Sequence, residues 1–228
     1  MRTRHYRSGL LAGMLLSGAV AHAADVTARL SLAPKGKNER MPPAVAWLTP
    51  LSPDAVPVHP GKFTLLQKNK MFSPHLLVVP LGSAVSFPNA DPFFHNVFSL
   101  FDGKRFDLGL YEAGSMRTVT FSREGVSYIF CNIHPDMSAV VLSLATPYFS
   151  VAADDGVFRM TAVPGGTYEL HVWVEGRRDD ALNHLTRQVT VPAEEATDLG
   201  RIDAGPPSQP ATHLNKFGQS YEIDHKTY

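Results

Sequence analysis

The sequence predicts an all-β protein built of β-sandwiches, and three observations carry that expectation. Short runs rich in Val, Phe, Tyr and Leu recur along the chain, most of them bounded by Gly, Pro, Asn or Asp. No long stretch keeps the 3.6-residue apolar period of an amphipathic helix. Many short strands separated by turn residues bury their apolar faces best as a sandwich or barrel.

Taken in chain order, residues 1–23 read as a signal peptide. Arg2, Arg4 and Arg7 make a basic start, Leu10–Val20 is apolar with only small interruptions, and Ala21-His22-Ala23 offers a cleavage site. An apolar run of about 11 residues is shorter than the ~20 needed to span a bilayer, so a membrane anchor is the weaker alternative. No cysteine follows the run, which speaks against a lipid anchor. The expected destination is the periplasm.

Strands are expected at Val26–Leu32, Ala44–Leu48, Leu76–Val79, Ala84–Phe87, Asn96–Leu100, Met116–Phe121, Val126–Phe130 and Ala139–Leu144. Three more are expected at Val157–Ala162, Thr167–Val174 and Leu185–Val191. Breaks fall at Pro50–Gly61, which holds four prolines, and at Thr146-Pro147. Residues 204–228 read as a polar, proline-rich tail that packs, if at all, through Phe217, Tyr221 and Tyr228.

Charge and cysteine content narrow the function. Basic and acidic side chains balance at 21 each, and loss of the leader's three arginines leaves the mature chain slightly acidic. With no basic run or basic amphipathic stretch, neither nucleic acid nor stable membrane insertion is an expected partner. One cysteine, Cys131, remains in a chain bound for an oxidising compartment. It cannot form an internal disulfide, so it is inert and buried, intermolecular, reactive, or a metal ligand.

The segment Tyr128-Ile129-Phe130-Cys131-Asn132-Ile133-His134-Pro135-Asp136-Met137 runs from a hydrophobic strand into a tight loop. Upstream, Phe94-His95-Asn96-Val97 opens another strand. His95, Cys131, His134 and Met137 together supply two imidazoles, a thiol and a thioether. Soft sulfur donors hold Cu(I), imidazoles suit both oxidation states, and a His2Cys site with a long axial Met is the blue-copper electron-transfer arrangement. Zinc is the weaker rival, because closed zinc sites favour Cys and His over Met.

At these residues the chain resembles the cupredoxins, the plastocyanin and amicyanin group in particular. Cys131-x-x-His134-x-x-Met137 matches the short amicyanin ligand loop, and His95-Asn96 matches the His-Asn pair that carries the first ligand. The resemblance runs from about Lys62 to Ala145 and includes Pro80–Asn89. It also extends to exported, cupredoxin-containing methylamine-utilisation proteins. It implies a Greek-key sandwich holding one type 1 copper, with Met137 axial and favouring Cu(I). It further implies that Asn96 ties the ligand loop to the His95 strand, and that Asn132 bonds near the sulfur. His134 becomes the electron port within an apolar ring of Phe93, Phe94, Pro135 and Met137, although Phe94 reads rather as a core residue.

Other candidates are weaker. His75 is an extra ligand, an electron port or, more simply, an exposed turn residue, and His171 reads as structural or surface. His184, His213 and His225 lack metal-ligand spacing. The pairs Asp154-Asp155, Asp179-Asp180 and Glu194-Glu195 read as solvated turns. There is no G-x-S-x-G, H-E-x-x-H, P-loop or C-x-x-C-H.

From residue 146 the chain resembles the carboxypeptidase-regulatory or transthyretin-like sandwiches, through Asp154 or Asp155, Gly156, Phe158, Pro164, Gly166 and Tyr168. The expected organisation places residues 24–57 and 146–203 in one regulatory-like sandwich, with a cupredoxin domain at 58–145 inserted. The expected function is one-electron transfer between unidentified donor and acceptor proteins. No enzymatic activity is expected, since four protein ligands leave no open metal position. Copper storage, delivery or tolerance is the alternative, followed by a sandwich module acting without redox chemistry.

Overall fold

A computed structural model of the chain describes residues 23–32, 41–52, 56–100, 103–207, 215–217 and 219. Of the signal peptide expected over residues 1–23, all but Ala23, which opens the first strand, lies outside the described residues, as do His213, His225, Tyr221 and Tyr228. The chain starts with β1 (Ala23–Ser31) and β2 (Ala44–Pro50). β1 buries Ala24, Val26, Ala28 and Leu30 on one face, the period of two that a strand imposes.

Three short strands come next: β3 (Lys62–Thr64), β4 (Leu66–Lys68) and β5 (Met71–Ser73). After them come β6 (Leu76–Pro80), β7 (Ala84–Pro88), β8 (His95–Ser99) and β9 (Phe106–Tyr111). β10 (Met116–Thr120), β11 (Gly125–Phe130) and β12 (Ser138–Leu144) complete the middle of the chain. The last part holds β13 (Phe149–Val151), β14 (Val157–Pro164), β15 (Gly166–Val174), α1 (Asp179–Asn183), β16 (Arg187–Val191) and β17 (Thr197–Asp203). With a five-residue helix as the only one among the described residues, the protein is all-β.

Apart from the two-stranded β4-β5 ribbon, the strands pack as two pairs of sheets. In the first pair, β10-β7-β3 faces β6-β12-β11-β8-β9 across a core that includes Val85, Phe87, Val97, Phe121, Ile129 and Val141. In the second, β13-β2-β15-β16 faces β14-β1-β17 across Ala28, Leu48, Phe158, Leu170 and Ile202. β1 and β2 pair only with strands beyond residue 148, and strands between residues 62 and 144 pair only with one another.

β12 belongs to both cores. Ala139 and Val141 enter the first, while Val140, Leu142 and Leu144 enter the second. Its near-continuous apolar run follows from coverage of both faces. Trp173 Nε1 donates to Tyr128 Oη at 3.2 Å, which adds a polar tie between β15 and β11.

Strands β3, β4, β5, β9, β13 and β17 are additions to the expected set. Four of them have only three residues, too short to display a period. β9 is interrupted in sequence by Asp107 and Gly109, the glycine at φ +67°. The strand expected at Leu185–Val191 begins instead at Arg187, because Leu185 is consumed in the turn that ends α1, its N–H bonded to Leu182 O at 2.9 Å.

Candidate metal centre

His95 is the first residue of β8, and Cys131 directly follows the end of β11. β11 lies between β8 and β12, so the strand carrying His95 and the mouth of the 131–137 loop meet at one end of the sheet. The loop closes on itself: Cys131 N–H donates to Met137 O at 3.1 Å, and Met137 N–H to His134 O at 3.0 Å. The hairpin mouth thereby carries Cys131, His134 and Met137 on one short closed loop.

The structure brings His95, Cys131 and His134 together, with one donor atom from each lying within 4.8 Å of the others. Cys131 Sγ stands 3.7 Å from His95 Nδ1 and 3.6 Å from His134 Nδ1. Nitrogen and sulfur donors at ~2.0–2.3 Å from one transition ion stand about 3.5–3.8 Å apart. Both separations fit a single ion between the three. Met137, the fourth expected donor, is fully buried in the same apolar cluster as Cys131.

Burial differs among the donors. His95 and Cys131 are sealed from solvent, whereas His134 is partly exposed. Burial, with the nearby His95 and Lys70 adding to it, pushes the His134 imidazole below the ordinary histidine value, and Asp91 opposes this. The neutral ring is the form that can ligate a metal.

Asp91 is the feature that sequence reasoning missed. His95 Nε2 donates to Asp91 Oδ2 at 2.8 Å, with side-chain exposures of 0% and 5%. Nδ1 is the ring nitrogen that faces the sulfur, 3.7 Å away. Burial alone would raise the Asp91 carboxyl, but the Lys70 amide, His95 and the Asn69 amide outweigh it and hold it below the usual value. The signal available in sequence was a lone Asp four residues before His95, which in an extended segment carries no special meaning.

The two asparagines are linked through Asp107 and Lys216. Asn96 Nδ2 donates to Asp107 Oδ1 at 2.8 Å, and Asn96 Oδ1 has no partner among the described residues. Asn132 Oδ1 is occupied by the Lys216 N–H at 3.0 Å, and Lys216 Nζ reaches Asp107 Oδ2 at 2.8 Å. The tie between loop and strand therefore runs through Asp107 and Lys216, two residues that no ligand spacing marks. The reading of Phe94 as a core residue is corrected: it is 55% exposed, because it precedes β8 on the outside of the turn.

Phe93, Ile133 and Pro135 are exposed as well, and the Phe93 ring lies 5.2 Å from that of His95 and 5.7 Å from that of His134. Met137, by contrast, is internal. Tyr111 pairs with His95 across β8 and β9, and burial pushes its phenol to about 12. His75 lies outside the cluster, its ring nitrogens contacting Ser138 O at 3.1 Å and Glu175 Oε1 at 2.6 Å. His171 stacks on Trp47 and pairs with Glu169, and His184 caps α1.

No family model and no curated protein matches the chain. Among solved structures it is similar to a purple cupredoxin from Nitrosopumilus maritimus, at 26% identity over 36% of this chain and 98% of that one, with a TM-score of 0.33. It is also similar to a copper-containing nitrite reductase from Thermus scotoductus, at 20% identity and a TM-score of 0.36. That match covers 50% of this chain and 28% of the reductase. A third similar structure is a reduced amicyanin variant, at 20% identity over 43% of this chain and 99% of that one, with a TM-score of 0.34. No helix among the described residues is long and apolar enough to cross a membrane.

Proposed function

We propose that the chain is an exported copper protein that carries single electrons, with His95, Cys131 and His134 as strong ligands and Met137 as the axial fourth. The observation that carries this reading is the convergence of one sulfur and two Nδ1 atoms at 3.6 and 3.7 Å at the closed end of a β-sandwich. Copper bound there would supply a one-electron couple between Cu(II) and Cu(I).

The chain's own residues favour that use. The loop is pinned at both ends by backbone hydrogen bonds and His95 is held from behind, so the donors keep their places whatever the charge between them. Two of the three clustered donors are sealed from water, an arrangement for retaining an ion more than for handing it on. His134 is the partly exposed donor, and Phe93, Phe94, Ile133 and Pro135 around it offer an apolar rim to donor and acceptor proteins. A closed set of four protein donors provides no place for a substrate.

The second pair of sheets is assigned a regulatory-like, non-catalytic packing role. Its support is the pairing of β1 with β14 and β17, and of β2 with β13 and β15. Export to the periplasm is supported by the basic start, the apolar run and Ala21-His22-Ala23.

The test is to add one equivalent of Cu(II) to the mature chain and to a Cys131→Ser variant, then record visible and electron-paramagnetic spectra. An intense sulfur-to-copper charge-transfer band in the wild type alone is expected. A colourless protein with tetragonal copper signals indifferent to Cys131 would overturn the reading. Prompt loss of the metal to a mild chelator would favour copper delivery instead.

A further inference from the structure

We propose that Asp91 is a positioning residue that selects the donor atom of His95 and strengthens it, favouring Cu(II) over Cu(I) and lowering the reduction potential of the site. The proposal rests on the copper reading above and concerns a residue outside the ligand set.

The geometry gives Asp91 few alternatives. Its Oδ2 accepts from His95 Nε2 at 2.8 Å and from Lys70 N–H at 2.9 Å, while Oδ1 accepts from Asn69 N–H at 2.6 Å. Asn69 and Lys70 form the turn between β4 and β5 with φ of +56° and +57°. Neither is glycine, and side chains rarely adopt this left-handed region. That strained turn aims two successive amides at one carboxylate. Asn89 holds the same segment from the other side, taking the Asp91 N–H on Oδ1 at 3.1 Å and donating from Nδ2 to Phe93 O at 2.8 Å. A buried carboxylate held in this way cannot swing away from the ring.

Two effects follow. The Nε2 proton is committed to Asp91, so the Nδ1 lone pair is the one directed at Cys131 Sγ, 3.7 Å away. A carboxylate accepting the far N–H raises the basicity of the ligating nitrogen and adds negative charge behind it. Both favour the more highly charged ion, in opposition to the preference of the sulfur donors for Cu(I).

The first measurement needs neither metal nor variant. In the copper-free wild type, nitrogen-15 correlations are expected to show His95 as the Nε2–H tautomer with its proton shifted far downfield. An Nδ1–H tautomer would overturn the proposal. The second measurement compares the copper-loaded wild type with Asp91→Asn, which keeps the shape and one oxygen acceptor but removes the charge. The Cu(I):Cu(II) affinity ratio is expected to rise about tenfold, which for one electron is about 59 mV, with the charge-transfer band retained. A retained band with an unchanged ratio would overturn this proposal alone, leaving Asp91 a structural brace. A wild type that takes up no copper overturns both this proposal and the reading beneath it.

Discussion

At the residue scale, Met137 separates packing from ligation. It is fully buried among Ile129, Cys131 and Ala139, so Met137→Ala is expected to cost the copper-free protein about 2–5 kcal/mol. Met137→Leu conserves volume and is expected to cost less than about 1.5 kcal/mol. Denaturant titration of both checks the packing side. If the thioether ligates, the leucine variant also changes the copper spectrum while its fold is intact; an unchanged spectrum would remove Met137 from the ligand set. Here the sequence was legible in Cys131 and His134, which stand three residues apart on one loop and meet His95 in one cluster. Asp91 was not legible, since its meaning depends on which ring nitrogen it meets. Nor was Asp107, whose partners Asn96 and Lys216 are 11 and 109 residues away.

At the element scale, the 131–137 loop is braced from outside its own hairpin. Asn96 on β8, Asp107 on β9, Lys216 and Asn132 form a chain of contacts that ends on the residue next to Cys131. The Lys216–Asp107 pair is partly exposed, with the screening that implies, and the more telling member is the Lys216 N–H to Asn132 bond. Replacing Asn132 by Ala is expected to speed hydrogen exchange at the Lys216 amide about fivefold, the equivalent of one net hydrogen bond of about 1 kcal/mol. Unaltered exchange would mean that the tail segment is held by other contacts. The brace was hidden from sequence reasoning because β9 itself was hidden. Asp107 and Gly109 read as a turn, and only pairing with β8 makes Phe106–Tyr111 a strand. Strands with four or more apolar or β-branched positions and no interior glycine, such as β11, β12 and β15, needed no such context.

At the scale of the whole molecule, the two pairs of sheets share β12 and are tied across their boundary by side chains. His75 sits between Ser138, at the start of β12, and Glu175, just past β15. Hydrogen bonding to Glu175 raises the His75 pKa, burial lowers it by less, and Glu175's charge and the Ser138 carbonyl add to the rise. A histidine whose value is raised on folding contributes stability that is fully present below about pH 6.5, its unfolded value. The contribution is lost as pH climbs through the higher folded value. His75 is 45% exposed and Glu175 35%, so the pair is expected to contribute no more than about 1 kcal/mol. Removing the carboxylate with Glu175→Gln should therefore flatten one component of the pH profile and leave the rest untouched. Denaturant midpoints of wild type and variant, taken at pH 5.5 and pH 8.5, give the test. The wild type should exceed the variant at the lower pH and converge on it at the higher one. Profiles that stay parallel across that interval would mean that the apolar contact of Val140, Leu142 and Leu144 holds the sheets together without help from His75.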